Sequence, residues 1–353
     1  MASASVVVAG AGAVGSTVAL VLAEAGHRVL VIDPSTVGAN ASGVAAGMLS
    51  PAFESLFDQG AAEPYELLSA AQALWPARAE RIKLSLDRSG ALALGSTGEV
   101  AAWAARLAQM GAPARMLTAK ALTETLPQPA PGLAALACAD EWRLTPTRAL
   151  ATLHRAARGE GVGFLTSEVR GFAPGALAVA ANGKVSADWL VIATGASKAL
   201  GAVAPDLARL TPVKGHILRS SLAAPPGPTL RTPSAYVCPT GSEVILGASM
   251  EVGRDDAGID PDVVAELKAH GAALCPSLAG ASWRVATGVR AASPDGLPLV
   301  GESGQPKVIL AVGARRNGWL LAPLIAEIVA GRLAEAAKSR EAQLFDPRRF
   351  SPG

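Results

Sequence analysis

Three closely spaced glycines near the N-terminus have the spacing of a phosphate-binding turn. Gly10, Gly12 and Gly15 lie in the run GAGAVG, after the apolar residues 6–9 and before a helix-compatible segment, 16–25. The first glycine permits a tight turn, the second lets the backbone approach a pyrophosphate, and the third lets the helix pack on the strand. The run therefore predicts a dinucleotide site, and a coincidental glycine-rich turn is the alternative.

A carboxylate stands where such a site would hold a ribose. Residues 28–33 form a second apolar run that predicts a strand, and Asp33 ends it. At that position a carboxylate can accept hydrogen bonds from both ribose hydroxyls. Strand, helix and strand together predict a βαβ unit.

Two further segments have small residues where a ligand would approach the backbone. Residues 38–49 are almost all small, which indicates that something large and flat lies against them; a flexible loop is the alternative. Residues 190–193 predict a strand that ends in Thr194 and Gly195, a second point of close backbone approach.

The remaining patterns predict an α/β protein with a second sheet. Residues 64–124 are mostly helical in pattern, and another helix is expected over 146–158. Short apolar runs between 211 and 288 predict a separate, largely antiparallel sheet. Near the C-terminus, residues 308–312 predict a strand, followed by a glycine-rich turn and an apolar helix over 319–333 whose N-terminus faces the sheet edge.

Charge and cysteine content disfavour several other classes of protein. The 31 basic and 29 acidic residues give a net charge of +2 without a basic stripe, so no nucleic-acid partner is expected. The three cysteines and four histidines are scattered, so we expect neither disulfides nor a metal site. The apolar N-terminal run lacks the positive residues of a signal peptide and is broken by glycines, so we expect no transmembrane segment and a cytoplasmic location.

Several blocks together resemble the FAD-dependent D-amino-acid oxidase and glycine oxidase family, and glycine oxidase most closely. They are GAGAVG with Asp33, ASGVAAGMLSP at 41–51, ATGAS at 193–197, AYVCPTG at 235–241, GVRAASPDGLPLVG at 288–301 and ARRNGWLLAP at 314–323. The resemblance implies a non-contiguous, Rossmann-like FAD-binding domain with a parallel sheet, formed by 1–83, 147–209 and 289–353. It also implies an interleaved, mainly antiparallel substrate domain formed by 84–146 and 210–288.

The resemblance implies FAD as cofactor. Related enzymes with covalent flavin use a late cysteine, and no cysteine follows Cys275, so noncovalent FAD is expected. The cofactor-binding residues expected from the matched blocks and strand ends are Gly10, Gly12, Ala13, Val14, Gly15, Asp33, Ser42, Ala45, Ala46, Gly47, Met48, Val169, Thr194, Gly195, Arg290, Asn317, Gly318, Trp319 and Leu320.

The resemblance also implies three catalytic residues. Arg290 would hold a substrate carboxylate, Tyr236 would assist it, and Arg316 would lie close to flavin and substrate. A guanidinium can bind a carboxylate through two parallel hydrogen bonds, and a phenol adds a third donor. The alternatives from residue type alone are a surface ion pair of Arg290 with Asp295 and simple packing of Tyr236 in its strand.

The implied reaction is oxidation of the C–N bond of a small amino acid or N-substituted glycine, with hydride passing from Cα to flavin N5. Thr240, Ser234 and the pair Ala314-Arg315 depart from the family pattern and leave the substrate's identity open. The alternatives are a dehydrogenase that passes electrons to a quinone or carrier, a tRNA-modifying flavoprotein, and a catalytically silent FAD-binding subunit. A homo-oligomer is compatible with each.

Overall fold

The fold is described from a computed structural model, which covers residues 3–58, 64–126, 132–173, 176–179, 183–222 and 226–350. Its α-helices are α1 Ala13–Glu24, α2 Ala41–Val44, α3 Pro51–Phe57, α4 Tyr65–Ala73, α5 Trp75–Ile82, α6 Thr97–Gln109, α7 Ala119–Thr125, α8 Pro146–Gly159, α9 Pro261–Leu274, α10 Gly318–Leu333 and α11 Arg340–Leu344. Short 3₁₀ turns lie at Pro205–Arg209, Pro276–Leu278 and Pro347–Phe350. Its strands are β1 Ser5–Ala9, β2 Arg28–Asp33, β3 Met48–Leu49, β4 Ala91–Ser96, β5 Arg115–Met116, β6 Leu133–Cys138, β7 Trp142–Arg143, β8 Gly163–Thr166, β9 Val169–Ala173, β10 Ala176–Val179, β11 Gly183–Val185, β12 Trp189–Ile192, β13 Thr211–Ser220, β14 Thr229–Arg231, β15 Tyr236–Pro239, β16 Val244–Gly247, β17 Glu251–Val252, β18 Arg284–Ala292, β19 Leu299–Glu302 and β20 Val308–Val312.

A six-stranded sheet has the order β19-β20-β12-β1-β2-β8. Its strands are parallel except β19, which runs antiparallel to β20. Val7 of the central strand pairs with Leu190 on one side and Leu30 on the other. The continuous apolar runs of β1 and β20 are buried, as expected for strands covered on both faces.

Helix α10 packs against α1 on one face of this sheet and contains a proline. Pro323 has no N–H, so the carbonyl of Trp319, four residues earlier, lacks its usual helical donor. The buried indole of Trp75 donates a hydrogen bond to that carbonyl at 3.1 Å. The helix therefore continues past the proline without an unsatisfied carbonyl at this point.

A nine-stranded sheet has the order β17-β13-β16-β15-β14-β4-β6-β5, and β18 pairs with β13. It is antiparallel apart from the pairing of β14 with β4. The pairing of β13 with β18 runs from Thr211 opposite Ala292 to Arg219 opposite Arg284. At the end of this ladder, Ala292 also forms an isolated bridge with Ala314, two residues after β20 of the first sheet.

The α/β class predicted from the sequence is confirmed, with one sheet mainly parallel and the other mainly antiparallel. The strands of the six-stranded sheet come from the three segments expected for the FAD-binding domain, but the boundary expected at residue 289 falls inside β18. The domain limits therefore remain a prediction. The helices in the described part of the chain include none with the length and hydropathy needed to cross a bilayer.

Candidate active site

The glycine-rich turn joins β1 to α1 with a backbone geometry that excludes side chains. Gly10 has a φ of +108°, and a Cβ there would lie 2.3 Å from the carbonyl oxygen of Ala193. A Cβ on Gly15 would lie 2.0 Å from the carbonyl oxygen of Gly10, so α1 packs directly on the turn. The N-terminus of α1 has no side-chain cap of its own, although Ser42 accepts a hydrogen bond from Ala13 N–H at 3.0 Å.

Asp33 holds this turn and also faces the space beyond it. One carboxylate oxygen, Oδ2, accepts a hydrogen bond from Ala11 N–H at 2.7 Å, and the other, Oδ1, accepts one from Ser35 N–H at 2.7 Å. Each carboxylate oxygen has a further lone pair. Asp33 can therefore keep the turn closed while it accepts hydrogen bonds from a ligand.

A cleft of about 500 Å³ lies at the carboxyl ends of the parallel strands. Ligands of open α/β sheets bind at this edge. The cleft is lined by thirteen of the residues predicted to bind the cofactor, namely Gly10, Gly12, Ala13, Val14, Asp33, Ser42, Ala45, Val169, Thr194, Gly195, Arg290, Gly318 and Trp319.

The other predicted cofactor residues lie elsewhere. A smaller neighbouring cavity is lined by Ala46, Gly47, Met48 and Asn317. Gly15 packs α1 on the turn, and the side chain of Leu320 is fully buried in the hydrophobic core. Leu320 therefore can offer a ligand only its backbone N–H, which lies in the first turn of α10.

A second helix N-terminus faces the cleft. Gly318 and Trp319 begin α10 and line the cleft, and the helix has no side-chain N-cap hydrogen bond. The indole of Trp319 donates to the carbonyl of Ser42 at 3.0 Å, which ties α10 to the small-residue segment. Free N–H groups and the helix dipole favour negative charge here.

Arg290 and Tyr236 meet in the smaller cavity, whose volume is about 100 Å³. It shares Ala45, Arg290, Arg316 and Trp319 with the large cleft. Two glycines make room for the polar groups. A Cβ on Gly215 would lie 2.3 Å from the Arg290 guanidinium, and a Cβ on Gly247 would lie 2.4 Å from the Tyr236 hydroxyl.

Arg290 is partly buried, and it does not form the surface ion pair considered above. Asp295 instead accepts hydrogen bonds from Arg349 at 2.8 and 2.9 Å. Nη1 of Arg290 donates a long hydrogen bond to the Ser249 carbonyl at 3.3 Å and contacts the Met250 sulfur, a weak acceptor, at 3.4 Å. Burial lowers the pKa of the Arg290 guanidinium, which still remains charged at neutral pH.

Tyr236 packs in its strand and also lines the cavity. It is buried, and burial raises the pKa of its phenol well above the usual range. The hydroxyl therefore keeps its proton at neutral pH and can donate a hydrogen bond.

Glu54 is a buried carboxylate of the small cavity that the sequence reasoning missed. Its Oε1 accepts a hydrogen bond from the buried Arg231 at 2.8 Å, and its Oε2 lies 3.1 Å from Nε of Arg316. Burial alone would raise the pKa of Glu54, but Arg316 and Arg231 outweigh it and hold the pKa below its ordinary value. Glu54 is therefore a carboxylate at neutral pH.

Arg316 lines both cavities, and its role near cofactor and substrate remains a prediction. Besides Glu54 it faces Asp58 at 3.8 Å, and Asp58 also pairs with Arg315. These charges form a network beside the cavity. Buried charges are stable in proteins when they are paired in this way.

Comparison with known proteins gives one family and consistent relatives. A model of FAD dependent oxidoreductases matches residues 5–332. The glycine oxidase of Geobacillus kaustophilus is 30% identical over 375 residues, which cover 98% of this chain and 96% of that protein. The glycine oxidase of Pseudomonas putida is 27% identical and covers 99% of this chain and 98% of its own length. The crystal structure of the Geobacillus enzyme superposes with a TM-score of 0.87 at 27% identity, over 99% of this chain and 100% of that one.

The residues present fit FAD. One cleft is lined by the glycine-rich turn, the carboxylate at the end of β2 and two helix N-termini. It shares residues with a smaller polar cavity. An extended dinucleotide needs helix N–H groups for its pyrophosphate and hydrogen-bond acceptors for its ribose, and the cleft offers groups of both kinds in the N-terminus of α1 and the Asp33 carboxylate. On its fold, its cleft and its match over residues 5–332, the chain belongs to the FAD-dependent oxidoreductase family.

Proposed function

We propose that this enzyme oxidises glycine or a small N-substituted glycine at its C–N bond. The observation that carries the proposal is the Arg290–Tyr236 pair, which lies in a cavity of about 100 Å³ beside the cofactor cleft. A cavity of about 150 Å³ binds benzene, which has six heavy atoms. Glycine has five heavy atoms, so the volume favours the smallest amino acids. The names of the two relatives, both glycine oxidases, agree with this class.

Positioning is the main contribution of the protein to this reaction. FAD, when bound, supplies a two-electron acceptor for the hydride of the Cα–H bond. Arg290 donates two parallel hydrogen bonds to the substrate carboxylate, and the Tyr236 hydroxyl adds a third. With the carboxylate fixed, rotation of a small substrate is restricted, which lowers the entropic part of the barrier.

The walls of the cavity limit both water and substrate size. Met48, Ile217 and Met250 line it with apolar surface. The space left by Gly215 and Gly247 is taken up by the Arg290 guanidinium and the Tyr236 hydroxyl. Exclusion of water strengthens the hydrogen bonds to the carboxylate. The same walls disfavour amino acids with long side chains.

The test is anaerobic reduction of the purified yellow protein. Glycine, sarcosine, D-alanine, D-phenylalanine and L-proline are added separately, and loss of flavin absorbance is followed; methylamine is the control without a carboxylate. We expect glycine or sarcosine to reduce the flavin fastest and methylamine to be inert. Faster reduction by D-phenylalanine or methylamine would contradict the proposal.

Three narrower points are part of the proposal. Dioxygen is the expected electron acceptor, which peroxide production would show, whereas reduction of a quinone dye alone would identify a dehydrogenase. Noncovalent attachment requires that heat denaturation release the flavin. A cytoplasmic location and self-association are checked by cell fractionation and by light scattering on the purified protein.

A further inference from the structure

Glu54 lines the cavity that Arg290 and Tyr236 share, and one of its carboxylate oxygens is ion-paired but not hydrogen-bonded to the described residues. Its side chain is 4% exposed, and Oε1 is bonded to Arg231. Oε2 is buried and forms an ion pair with Nε of Arg316 at 3.1 Å, but it accepts no hydrogen bond from the described residues. Among the described residues that line this cavity, Glu54 is the acidic one.

The ion pair offsets the charge of this oxygen but leaves its hydrogen-bonding capacity unfilled, and most buried polar atoms have a hydrogen-bond partner in the functional state. An amino-acid substrate has two polar ends. Arg290 and Tyr236 satisfy the carboxylate end, while the amino end brings N–H groups that need acceptors. The unused oxygen and the unmatched N–H groups are complementary in charge and in hydrogen-bonding role.

We propose that Oε2 of Glu54 accepts a hydrogen bond from the substrate's amino group, which makes Glu54 a specificity-determining residue. The inference rests on the proposed function and adds the group that recognises nitrogen. Arg231 and Arg316 keep Glu54 ionised, so it is a weak proton acceptor. It binds the amino group and does not serve as the base of the reaction. Ligands that lack N–H donors gain nothing from it.

The test compares ligands with and without an amino group on the holoenzyme and on Glu54→Gln. The apparent Kd of glycine comes from the concentration dependence of anaerobic flavin reduction. The Kd of acetate, which has the carboxylate alone, comes from the change it causes in the flavin spectrum. We expect the Kd of glycine to rise about 10-fold to about 100-fold in Glu54→Gln, and that of acetate to change less than about threefold.

Asp58→Asn is the matched control, because Asp58 pairs with Arg315 and Arg316 but does not line the small cavity. It reports the effect of weakening the charge network alone. We expect it to change the two Kd values by similar factors. Selective loss of glycine binding in Glu54→Gln, without such selectivity in Asp58→Asn, supports the contact.

Two results would overturn the inference: unchanged glycine binding in Glu54→Gln, or equal weakening of glycine and acetate, which indicates a structural role. If Glu54→Gln fails to hold flavin, Glu54→Asp is measured in its place, and the same selective loss of glycine binding is required. Failure of the proposed function is distinct, because it shows in the unmodified enzyme as no reduction by glycine or sarcosine.

Discussion

Replacement of Arg290 by leucine tests the carboxylate anchor most directly. The Arg290 side chain lines the small cavity, it contacts the Ser249 carbonyl at 3.3 Å and the Met250 sulfur at 3.4 Å, and Gly215 leaves open the space that it fills. The guanidinium therefore makes few strong hydrogen bonds within the protein, and most of its N–H donors can serve a ligand. Hydrogen bonds to charged groups contribute about 1.5 to 3 kcal/mol each. Loss of the two parallel hydrogen bonds, partly offset by water, should cost about 2 to 4 kcal/mol of transition-state stabilisation. This corresponds to a fall in kcat/KM of about 30-fold to about 1,000-fold.

The assay is steady-state oxidation of the best small amino acid, with flavin content measured on each preparation. Arg290→Lys keeps the charge but loses the parallel geometry, so its kcat/KM should also fall. Arg284→Leu, at the exposed end of the same strand, is the control and should keep the parent rate. An Arg290→Leu enzyme that holds flavin and turns over at the parent rate would refute the anchor.

The remaining predictions concern the phenol, the ribose site and a buried acid. Tyr236→Phe removes one neutral donor, so kcat/KM should fall by about 2-fold to about 13-fold, and an increase in the rate would contradict its role. Asp33→Ala should weaken FAD binding by about tenfold to about a hundredfold in equilibrium dialysis, and unchanged affinity would argue against the ribose contact. Burial raises the pKa of the Glu141 carboxyl from 4.5 to about 7, so the stability that its protonated form contributes is full below pH 4.5 and lost as the pH rises through about 7. Glu141→Gln should therefore flatten the decline of Tm over that pH range, and an unchanged slope would be inconsistent with this assignment.

The first βαβ unit could be predicted because its signals are local. The apolar run, the glycine turn and the terminal acid lie within 33 residues, and each constrains its neighbours in space. Even so, α1 begins at Ala13 and not at Ser16, because the extended Gly12 already acts as the N-cap. The helical pattern of apolar residues can be recognised in the sequence only from Ser16, about one turn after the helix begins.

Strand β4 could not be predicted in the same way. Residues 64–124 have the alanine and leucine content of helices, and helix was expected over most of that range. The structure has a strand at Ala91–Ser96, because it pairs with β6 and with β14, which lies more than a hundred residues away in the sequence. Pairing with distant strands outweighs intrinsic propensity here.

The residues of the candidate site also differ in whether the sequence could predict them. Arg290, Tyr236 and Arg316 stand in blocks that resemble a family, whereas Glu54 and Arg231 are single charged residues outside those blocks and are 177 residues apart. A single charged residue inside an apolar helix or strand is the available signal, since charged residues are rarely buried without a partner. That signal shows that a partner exists but does not identify it.

The strand order of the six-stranded sheet also sets when a newly made chain can bind its cofactor. Strand β1 can pair with β2 as soon as residues 28–33 have been made, but its other neighbour β12 follows only at residue 189 and β20 at residue 308. The cleft is then completed by Trp319. One edge of β1 in a nascent chain therefore stays unpaired until residue 189 has been made. A ligand stabilises the folded state that binds it, so FAD can stabilise the chain only after this cleft has formed.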